Sequence, residues 1–412
     1  MKTLYICAIL LSLTAVLLHC NNRFLKLPTN LGLIILSLGS AGALAVLQWL
    51  GFSFVGEFAN TVLSNIDLNE AVIVGFLCLI LFVGAIYVDL PALLKEFTPI
   101  ISLATIGVLI STLVVGTVVY LIALAIGLSI PWIYCLTFGA LISPTDAVTV
   151  LSFLKGTDLP RSIESKITGE SLLNDGMSIV LFITLLNIAL GTNEANLVIL
   201  PFVVMLHIVI ATAIGALCAY CTSLLIKSSD VNNVYLAIIA TLALATGSYS
   251  IADTLGISGP IAVVAAGLFL GNKGNIFNDD KSNSLGNFWT LIDEILNSVL
   301  FVIIGLELLA ISTDGKHLAL GLIAIPVVLT ARYLSILSIT KTLKKHRSFD
   351  SGVNYIMTWG GLRGGISIAL VLSLPASEIR EILMTATYMV VIFSIFVQGP
   401  TLPRLVKSLH SS

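Results

Sequence analysis

The sequence predicts an all-α membrane protein of about thirteen transmembrane helices. Of its 412 residues, 57% are hydrophobic and only 10% are charged, whereas a soluble globular protein carries about 25% charged residues. Apolar stretches of about 20 residues, long enough for a helix to cross a bilayer, recur from one end of the chain to the other. The basic residues between these stretches also fall mainly on one side of the predicted membrane.

The apolar stretches end where charged residues, Pro and Gly cluster. The predicted spans are residues 3–20, 31–50, 71–90, 100–126, 131–153, 166–190, 197–226, 232–254, 257–272, 290–311, 317–341, 353–374 and 381–406. Residues 1–412 are therefore predicted to form one transmembrane domain, and no soluble regulatory domain is expected. The odd seventh span would invert the second of two six-helix repeats, which we place at approximately 1–190 and 232–406.

Basic residues separate clearly when the loops between spans are numbered alternately. Fifteen of the twenty lysines and arginines lie in one set of loops and three in the other, while Arg332 and Arg363 lie inside predicted spans. Because positive charge marks the cytoplasmic side, we expect a multi-pass protein of the cell membrane with its N-terminus outside and its C-terminus in the cytoplasm. The formal net charge of −2 and the lack of long basic runs argue against a nucleic-acid partner.

The fifth span contains the run Ser143-Pro144-Thr145-Asp146. Proline has no amide hydrogen and clashes with the preceding helical turn, so the helix is expected to break there. The freed carbonyl groups can bind a cation if they line a cavity, and Asp146 supplies a negative charge beside them. The alternative is a plain proline kink with a hydrogen-bonded Asp146.

The sixth span carries four polar residues on adjacent stripes of one helix. Glu170 and Asn174 are four residues apart, as are Ser171 and Asp175, so each pair shares a face. A charged residue at the centre of a transmembrane helix costs about 2.5–3.5 kcal/mol on insertion scales. This span is therefore predicted to face the protein interior, with the first pair serving the structure and the second pair an ion.

The eleventh span carries Arg332, which needs a carboxylate partner within the membrane. Glu170 is the favoured partner and Glu307, in the tenth span, is the second choice. We expect this pair to be structural, because it would hold helices together and keep the carboxylate ionised.

Four glycines surround Arg363 in the twelfth span: Gly360, Gly361, Gly364 and Gly365. This composition predicts a second interrupted helix, at the position in the second repeat that matches span 5. Interrupted helices at matching places in inverted repeats mark the midplane site of a transporter. Arg363 would then offset the exposed carbonyl ends of the broken helices. A close-packed glycine face with a snorkelling arginine is the alternative.

The motifs of spans 5, 6 and 12, taken in this order, resemble those of the monovalent cation/proton antiporters, specifically the sodium/proton exchanger branch. The resemblance covers nearly the whole chain. It implies that Asp175 binds the cation or the proton, and that Asp146, the carbonyl of Thr145 and the hydroxyl of Ser171 complete the site. Asn174 precedes Asp175, as in members that exchange one cation for one proton.

The same resemblance implies a homodimer with a dimerisation region and a six-helix core, and it implies a buried pair between Glu170 and Arg332. The expected substrates are Na⁺ or Li⁺ and H⁺, with Asp146 and Asp175 as the metal-ion ligands. Neither a cofactor nor an enzymatic activity is expected. One position departs from the pattern, because many microbial members carry an acid in the third span where this chain has Val83.

The predicted mechanism is a competition between a cation and a proton for the carboxylates of Asp175 and Asp146. Two adjacent carboxylates disfavour being ionised together, so the site holds either a proton or a cation. A potassium/proton antiporter with the same mechanism and a cation channel remain alternatives. An intramembrane aspartyl protease is disfavoured, because the chain has no Gly-x-Gly-Asp run and the two buried arginines would be unexplained.

Overall fold

The computed structural model describes residues 2–27, 29–49, 70–154, 157, 159–191, 200–228, 234–272, 280–307, 314–344, 349 and 352–410. All regular secondary structure in these ranges is helical, which confirms the all-α class. Within them, eight helices are long and apolar enough to cross a membrane, and three shorter helices are also apolar. The chain is therefore a multi-pass membrane protein by length and composition of its helices.

The helices are numbered in chain order. They are α1 (Lys2–Cys20), α2 (Thr29–Trp49), α3 (Glu70–Ile86), α4 (Leu90–Lys95), α5 (Phe97–Ser102), α6 (Val108–Ala125), α7 (Trp132–Leu141), α8 (Ala147–Leu154), α9 (Arg161–Ala189), α10 (Leu200–Ser228), α11 (Val234–Thr254), α12 (Gly259–Gly271), α13 (Asp280–Glu307), α14 (Gly315–Leu343), α15 (Val353–Trp359), α16 (Gly365–Leu372), α17 (Glu378–Phe393) and α18 (Gly399–His410). A π-helical turn follows α1 at Asn21–Leu25. Two more π-helical turns, Leu103–Gly107 and Ser394–Gln398, join α5 to α6 and α17 to α18.

Among the helix ends that differ from the predicted spans, two have a clear physical reason. Helix α13 begins at Asp280, ten residues before the predicted start at residue 290. Its first turns are polar, and hydropathy detects only the apolar part of a helix that continues beyond the membrane core. Helix α3 ends at Ile86 rather than at residue 90, because Asp89 caps α4 by accepting a hydrogen bond from Ala92 N at 3.3 Å.

The helices pack into two groups, which meet along one face. We call α1–α3 and α10–α13 the scaffold bundle, in which α12 packs on α3, α10 and α11, and α13 packs on α1, α2 and α3. We call α5–α9 and α14–α18 the core bundle, in which α6 packs on α7 and α14, α9 packs on α7, and α14 packs on α17. Contacts between the bundles include those of α9 with α3 and α12, and those of α13 with α16.

Trp289 ties three helices of the scaffold bundle together. Its side chain on α13 is fully buried, and its ring lies 4.8 Å from that of Phe82 on α3, centroid to centroid. The indole Nε1 donates a hydrogen bond to Thr241 Oγ1 on α11 at 3.1 Å. A buried indole thus keeps its polar atom satisfied while its apolar body fills the bundle.

Helices α6 and α7 approach each other backbone to backbone. A Cβ on Gly139 would lie 2.5 Å from the carbonyl oxygen of Thr112 and 3.0 Å from its Cα, and a Cβ on Gly116 would lie 2.8 Å from Leu136 Cα. Small residues at the contact allow this close packing, which is a main source of helix association inside a membrane.

We expect Gly139→Ala to destabilise the protein, because the new methyl group meets backbone atoms that cannot move aside. Overpacking of this kind typically costs about 1–3 kcal/mol. The matched control is Gly247→Ala on α11, where a Cβ would meet no atom within 4 Å; it should be neutral or slightly stabilising. Thermal unfolding of both purified variants in detergent measures the difference, and equal melting temperatures would contradict the close packing of α6 on α7.

Candidate ion-binding site

Two interrupted helices cross inside the core bundle. Residues 142–146 separate α7 from α8, and residues 360–364 separate α15 from α16. Where they cross, Asp146 N donates a hydrogen bond to the carbonyl oxygen of Leu362 at 2.9 Å. Backbone N–H and C=O groups outside a helix need hydrogen-bond partners inside a membrane. Here one non-helical segment supplies the donor and the other supplies the acceptor.

The guanidinium group of Arg363 occupies the carbonyl end of α7. Its Nη1 donates hydrogen bonds to the carbonyl oxygens of Ser143, at 2.5 Å, and Pro144, at 2.9 Å. The side chain is buried, so its positive charge acts on the negative end of the helix with little screening. These two carbonyls are therefore already bonded within the protein.

The crossing requires glycine at position 364. A Cβ on Gly364 would lie 2.7 Å from Asp146 Oδ2 and 2.9 Å from Asp146 Cβ. Any side chain there would displace the carboxylate of Asp146 from the crossing.

Helix α9 fixes Thr145 from the side. Ser171 Oγ donates a short hydrogen bond to the carbonyl oxygen of Thr145 and accepts one from Ala147 N at 3.1 Å. Asn174 Nδ2 donates to Thr145 Oγ1 at 2.9 Å. Ser171 and Asp175 line the adjoining cavity, whereas Asn174 does not. Asn174 therefore acts on the site by holding Thr145.

Glu170 and Arg332 form a buried bidentate pair. Arg332 Nη1 and Nη2 each donate to one carboxylate oxygen of Glu170 at 2.5 Å. Asn174 Nδ2 also donates to Glu170 Oε1 at 2.9 Å, and Arg332 Nη2 donates to the carbonyl oxygen of Met357 at 3.4 Å. The pair thus connects α9, α14 and α15, and it extends to Thr145 through Asn174.

The carboxylate of Asp146 caps α8. Its Oδ1 accepts a hydrogen bond from Thr149 N at 2.9 Å, and its Oδ2 accepts one from Thr149 Oγ1 at 2.5 Å. Thr149 was missed by the sequence reasoning, although Asp-x-x-Thr at the start of a helix is a capping signature. Asp146 therefore holds the second half-helix in addition to supplying charge.

Asp175 is the carboxylate of the site that is least satisfied by the protein. Its side chain is only 8% exposed, and its Oδ1 is buried without a hydrogen-bond partner among the described residues. Asp175 and Asp146 line the same cavity, and their charges act on each other. An uncompensated carboxylate oxygen in a buried position fits a transported cation or proton as its missing partner.

The cavity lies between the two bundles and has a volume of about 790 Å³. Its walls come from α3 and α13 of the scaffold bundle, from α4, and from α8, α9 and α16 of the core bundle. It reaches the helix ends that carry Lys95 and Arg161, both in the loops predicted to be cytoplasmic. Asp293 and Asn297 on α13 also line it, and the sequence reasoning did not place them at the site. Their four-residue spacing was the available signal.

Comparison with known proteins identifies the family. The sequence profile described as sodium/hydrogen exchanger, transmembrane, matches residues 9–408. The chain belongs to the sodium/hydrogen exchanger family. It is 37% identical over 411 residues to the Na⁺/H⁺ antiporter NhaP of Pseudomonas aeruginosa, which covers 98% of this chain and 96% of that protein. It is 31% identical over 396 residues to the Na⁺/H⁺ antiporter NhaH of Halobacillus aidingensis, with 94% and 93% covered.

A solved structure shares the fold of this family member. The sodium proton antiporter MjNhaP1 of Methanocaldococcus jannaschii, determined at pH 8, aligns over 99% of both chains with a TM-score of 0.77 and 20% sequence identity. The helical bundle described above is therefore the fold of that antiporter.

The structure brings most of the predicted site residues of this exchanger-family chain to one place. Six of them meet around the crossing: Thr145, Asp146, Glu170, Ser171, Asn174 and Asp175. Arg332 and Arg363 contact this group through the bonds given above. Glu307 is the last residue of α13, and its side chain lies outside the described part of the chain.

We expect Glu170→Gln or Arg332→Ala to lower the yield and melting temperature of the folded protein. Breaking a buried pair leaves one charge uncompensated and typically costs about 3–5 kcal/mol, whereas neutralising both partners is often close to neutral. The double variant Glu170→Gln/Arg332→Gln should therefore recover part of the loss. Normal stability in both single variants, measured by thermal unfolding in detergent, would contradict a structural role for the pair.

Proposed function

We propose that this chain exchanges Na⁺, or Li⁺, for H⁺ across the membrane by secondary active transport. The observation that carries the proposal is Asp175, a buried carboxylate with an unpartnered oxygen, which lines a cavity beside the crossing of two interrupted helices. Membership of the sodium/hydrogen exchanger family supports it, and so do relatives named as Na⁺/H⁺ antiporters. Neither potassium exchange nor channel activity has an observation in its favour.

The exchange follows from competition at the carboxylates. Asp175 and Asp146 lie near each other in surroundings of low polarity, so the doubly ionised empty site is unfavourable. Either a proton or a cation removes one negative charge, and the two loaded forms therefore carry the same charge. Asn174, beside Asp175, adds no further charge, which favours an electroneutral one-for-one exchange. One pH unit is worth about 1.36 kcal/mol and supports about a tenfold cation gradient.

The predicted ligands have distinct roles in this proposal. Asp175 binds the cation or the proton directly, with the carbonyl of Thr145, the hydroxyl of Ser171 and the carboxylate of Asp146 around it. Asn174 positions Thr145. Arg363 neutralises the carbonyl end of α7, and the pair between Glu170 and Arg332 holds α9 against α14 and α15.

Alternating access would come from motion of the core bundle against the scaffold bundle. All of the proposed ion ligands belong to the core bundle, whereas α3 and α13 form the opposite wall of the cavity. The cavity opens beside Lys95 and Arg161, so the structure corresponds to a cytoplasm-facing state if these loops are cytoplasmic. Rocking of the core bundle would expose the same ligands to the other side.

The finer architecture is also part of the proposal. We assign thirteen spans in two inverted six-helix repeats, with spans 5 and 12 interrupted. The breaks at residues 142–146 and 360–364 support this assignment. The chain is placed in the cell membrane as a homodimer, with its N-terminus outside and its C-terminus in the cytoplasm. It needs no cofactor and catalyses no covalent reaction.

The proposal is tested by the collapse of a preformed pH gradient in everted vesicles that contain the protein. Addition of Na⁺ or Li⁺ should collapse the gradient, and a clamped membrane potential should leave the rate unchanged, because one-for-one exchange moves no net charge. Collapse by K⁺ alone would change the assigned substrate. A rate that depends strongly on the clamp would remove the electroneutral assignment, and no response to any cation from folded protein would overturn the proposal.

We expect Asp175→Asn to abolish Na⁺-driven proton movement while leaving the protein folded. The amide has nearly the shape of the carboxylate but can hold neither a proton nor a cation in exchange. The matched control is Asp253→Asn, an exposed acid on α11 that does not line the cavity; it should transport normally. The same vesicle assay reports transport and thermal unfolding reports folding, and normal exchange by Asp175→Asn would contradict its assigned role.

A further inference from the structure

The cavity contains a third carboxylate that the proposed exchange does not use. Asp293 on α13 is half-buried and lines the cavity together with Asn297. Asn297 Nδ2 donates a hydrogen bond to Asp293 Oδ1 at 2.9 Å, one helical turn away. The carboxylate is thus held in position on the wall of the cavity.

Two contacts fix the depth of Asp293 along α13. Seven residues before it, the carbonyl oxygen of Gly286 accepts a hydrogen bond from the exposed Tyr87 Oη at 2.6 Å. Seven residues after it, Leu300 packs against the start of α16, where a Cβ on Gly365 would lie 2.6 Å from Leu300 Cγ. At 1.5 Å per residue, Asp293 lies about 10 Å from each of these levels. Asp293 therefore lies between the residues of α13 that contact Tyr87 and the residue that packs on the start of α16.

Asp293 lies on the scaffold wall of the cavity, whereas the proposed ion ligands belong to the core bundle. No three His, Cys, Asp or Glu side chains in the described ranges come together closely enough to hold one metal ion. The charges of Asp293 and Asp146 nevertheless act on each other across the cavity. Asp293 thus adds negative potential to the path that leads to Asp146 and Asp175 without sharing their ligand set.

Part of the scaffold wall of the cavity is apolar. Val83 on α3 lines the cavity, and a Cβ on its neighbour Gly84 would lie 3.9 Å from Leu172 on α9, next to Ser171. Val83 offers no ligand, whereas Asp293 supplies a carboxylate from the same bundle. Asp175, whose buried Oδ1 lacks a hydrogen-bond partner among the described residues, lines the same cavity.

We propose that Asp293, held by Asn297, is a cytoplasmic binding station for a hydrated Na⁺ or Li⁺ ion on its way to Asp175. This inference rests on the sodium/proton exchange proposed above. The station belongs to the scaffold bundle, whereas the central ligands belong to the core bundle. Asp293 therefore contributes to cation binding only in the state in which the cavity is open. Cation binding from the other side of the membrane is unaffected.

The test is the KM for Na⁺ measured from each side, in proteoliposomes of uniform orientation at a fixed pH on both sides. For Asp293→Asn we expect the KM on the cavity side to rise about fivefold, the factor contributed by a unit charge near a bound cation in water. The KM on the other side should change by less than twofold. Asp293→Glu, which keeps the charge, should stay within twofold of the parent protein on both sides.

Glu294→Gln is the matched control, since it removes one negative charge from the adjacent, exposed position of α13 outside the cavity. It should leave both KM values unchanged. An unchanged cavity-side KM for Na⁺ in Asp293→Asn would overturn the proposed binding station. An equal rise of the KM on both sides would also overturn it, because that result would indicate a general distortion. If the parent protein moves no protons with Na⁺ from either side, the proposed exchange itself fails, and the station fails with it.

Discussion

The requirement that every backbone polar group in a membrane has a partner shapes the whole core bundle. Proline and glycine interrupt two helices, and water is not available in lipid to bond the groups that are released. Groups of the protein take the place of water. The carbonyl of Leu362 accepts a hydrogen bond from the amide of Asp146, and Arg363 donates hydrogen bonds to the carbonyls of Ser143 and Pro144. Each break is stable because the other is beside it, so neither half-helix is independent of the crossing.

Arg363 and Arg332 are costly in a membrane, and each meets a different need. Arg363 bonds backbone carbonyls, whereas Arg332 bonds a carboxylate that also anchors Asn174 and, through it, Thr145. Among the described residues of this network, the inner carboxylate oxygen of Asp175 and Nε of Arg332 are the buried side-chain atoms that lack a hydrogen-bond partner. A rigid, satisfied frame around one unsatisfied acid concentrates the affinity for a small cation at a single place.

The sequence predicts the all-α class, because composition and apolar periodicity are local properties. The helix breaks at Pro144 and around Arg363 are likewise local, since they follow from residues that cannot continue a helix. The start of α13 is not, because its polar first turns carry no membrane signal. The place of Asp293 in the cavity also depends on how α13 packs against the core bundle, and no pattern within one helix encodes that contact. Thr149 was accessible from its capping spacing.

The cavity also has an electrical consequence. About 790 Å³ accommodates roughly two dozen water molecules at about 30 Å³ each. Water and mobile ions would bring the potential of one compartment up to Asp175, so the membrane voltage would fall mainly across the packed half beyond it. A small displacement of the core bundle would then carry its charge through most of the field, worth about 2.3 kcal/mol per elementary charge at 100 mV. The ratio of cations to protons exchanged, rather than the distance that the core bundle moves, would then decide whether the membrane voltage does work on the transport cycle.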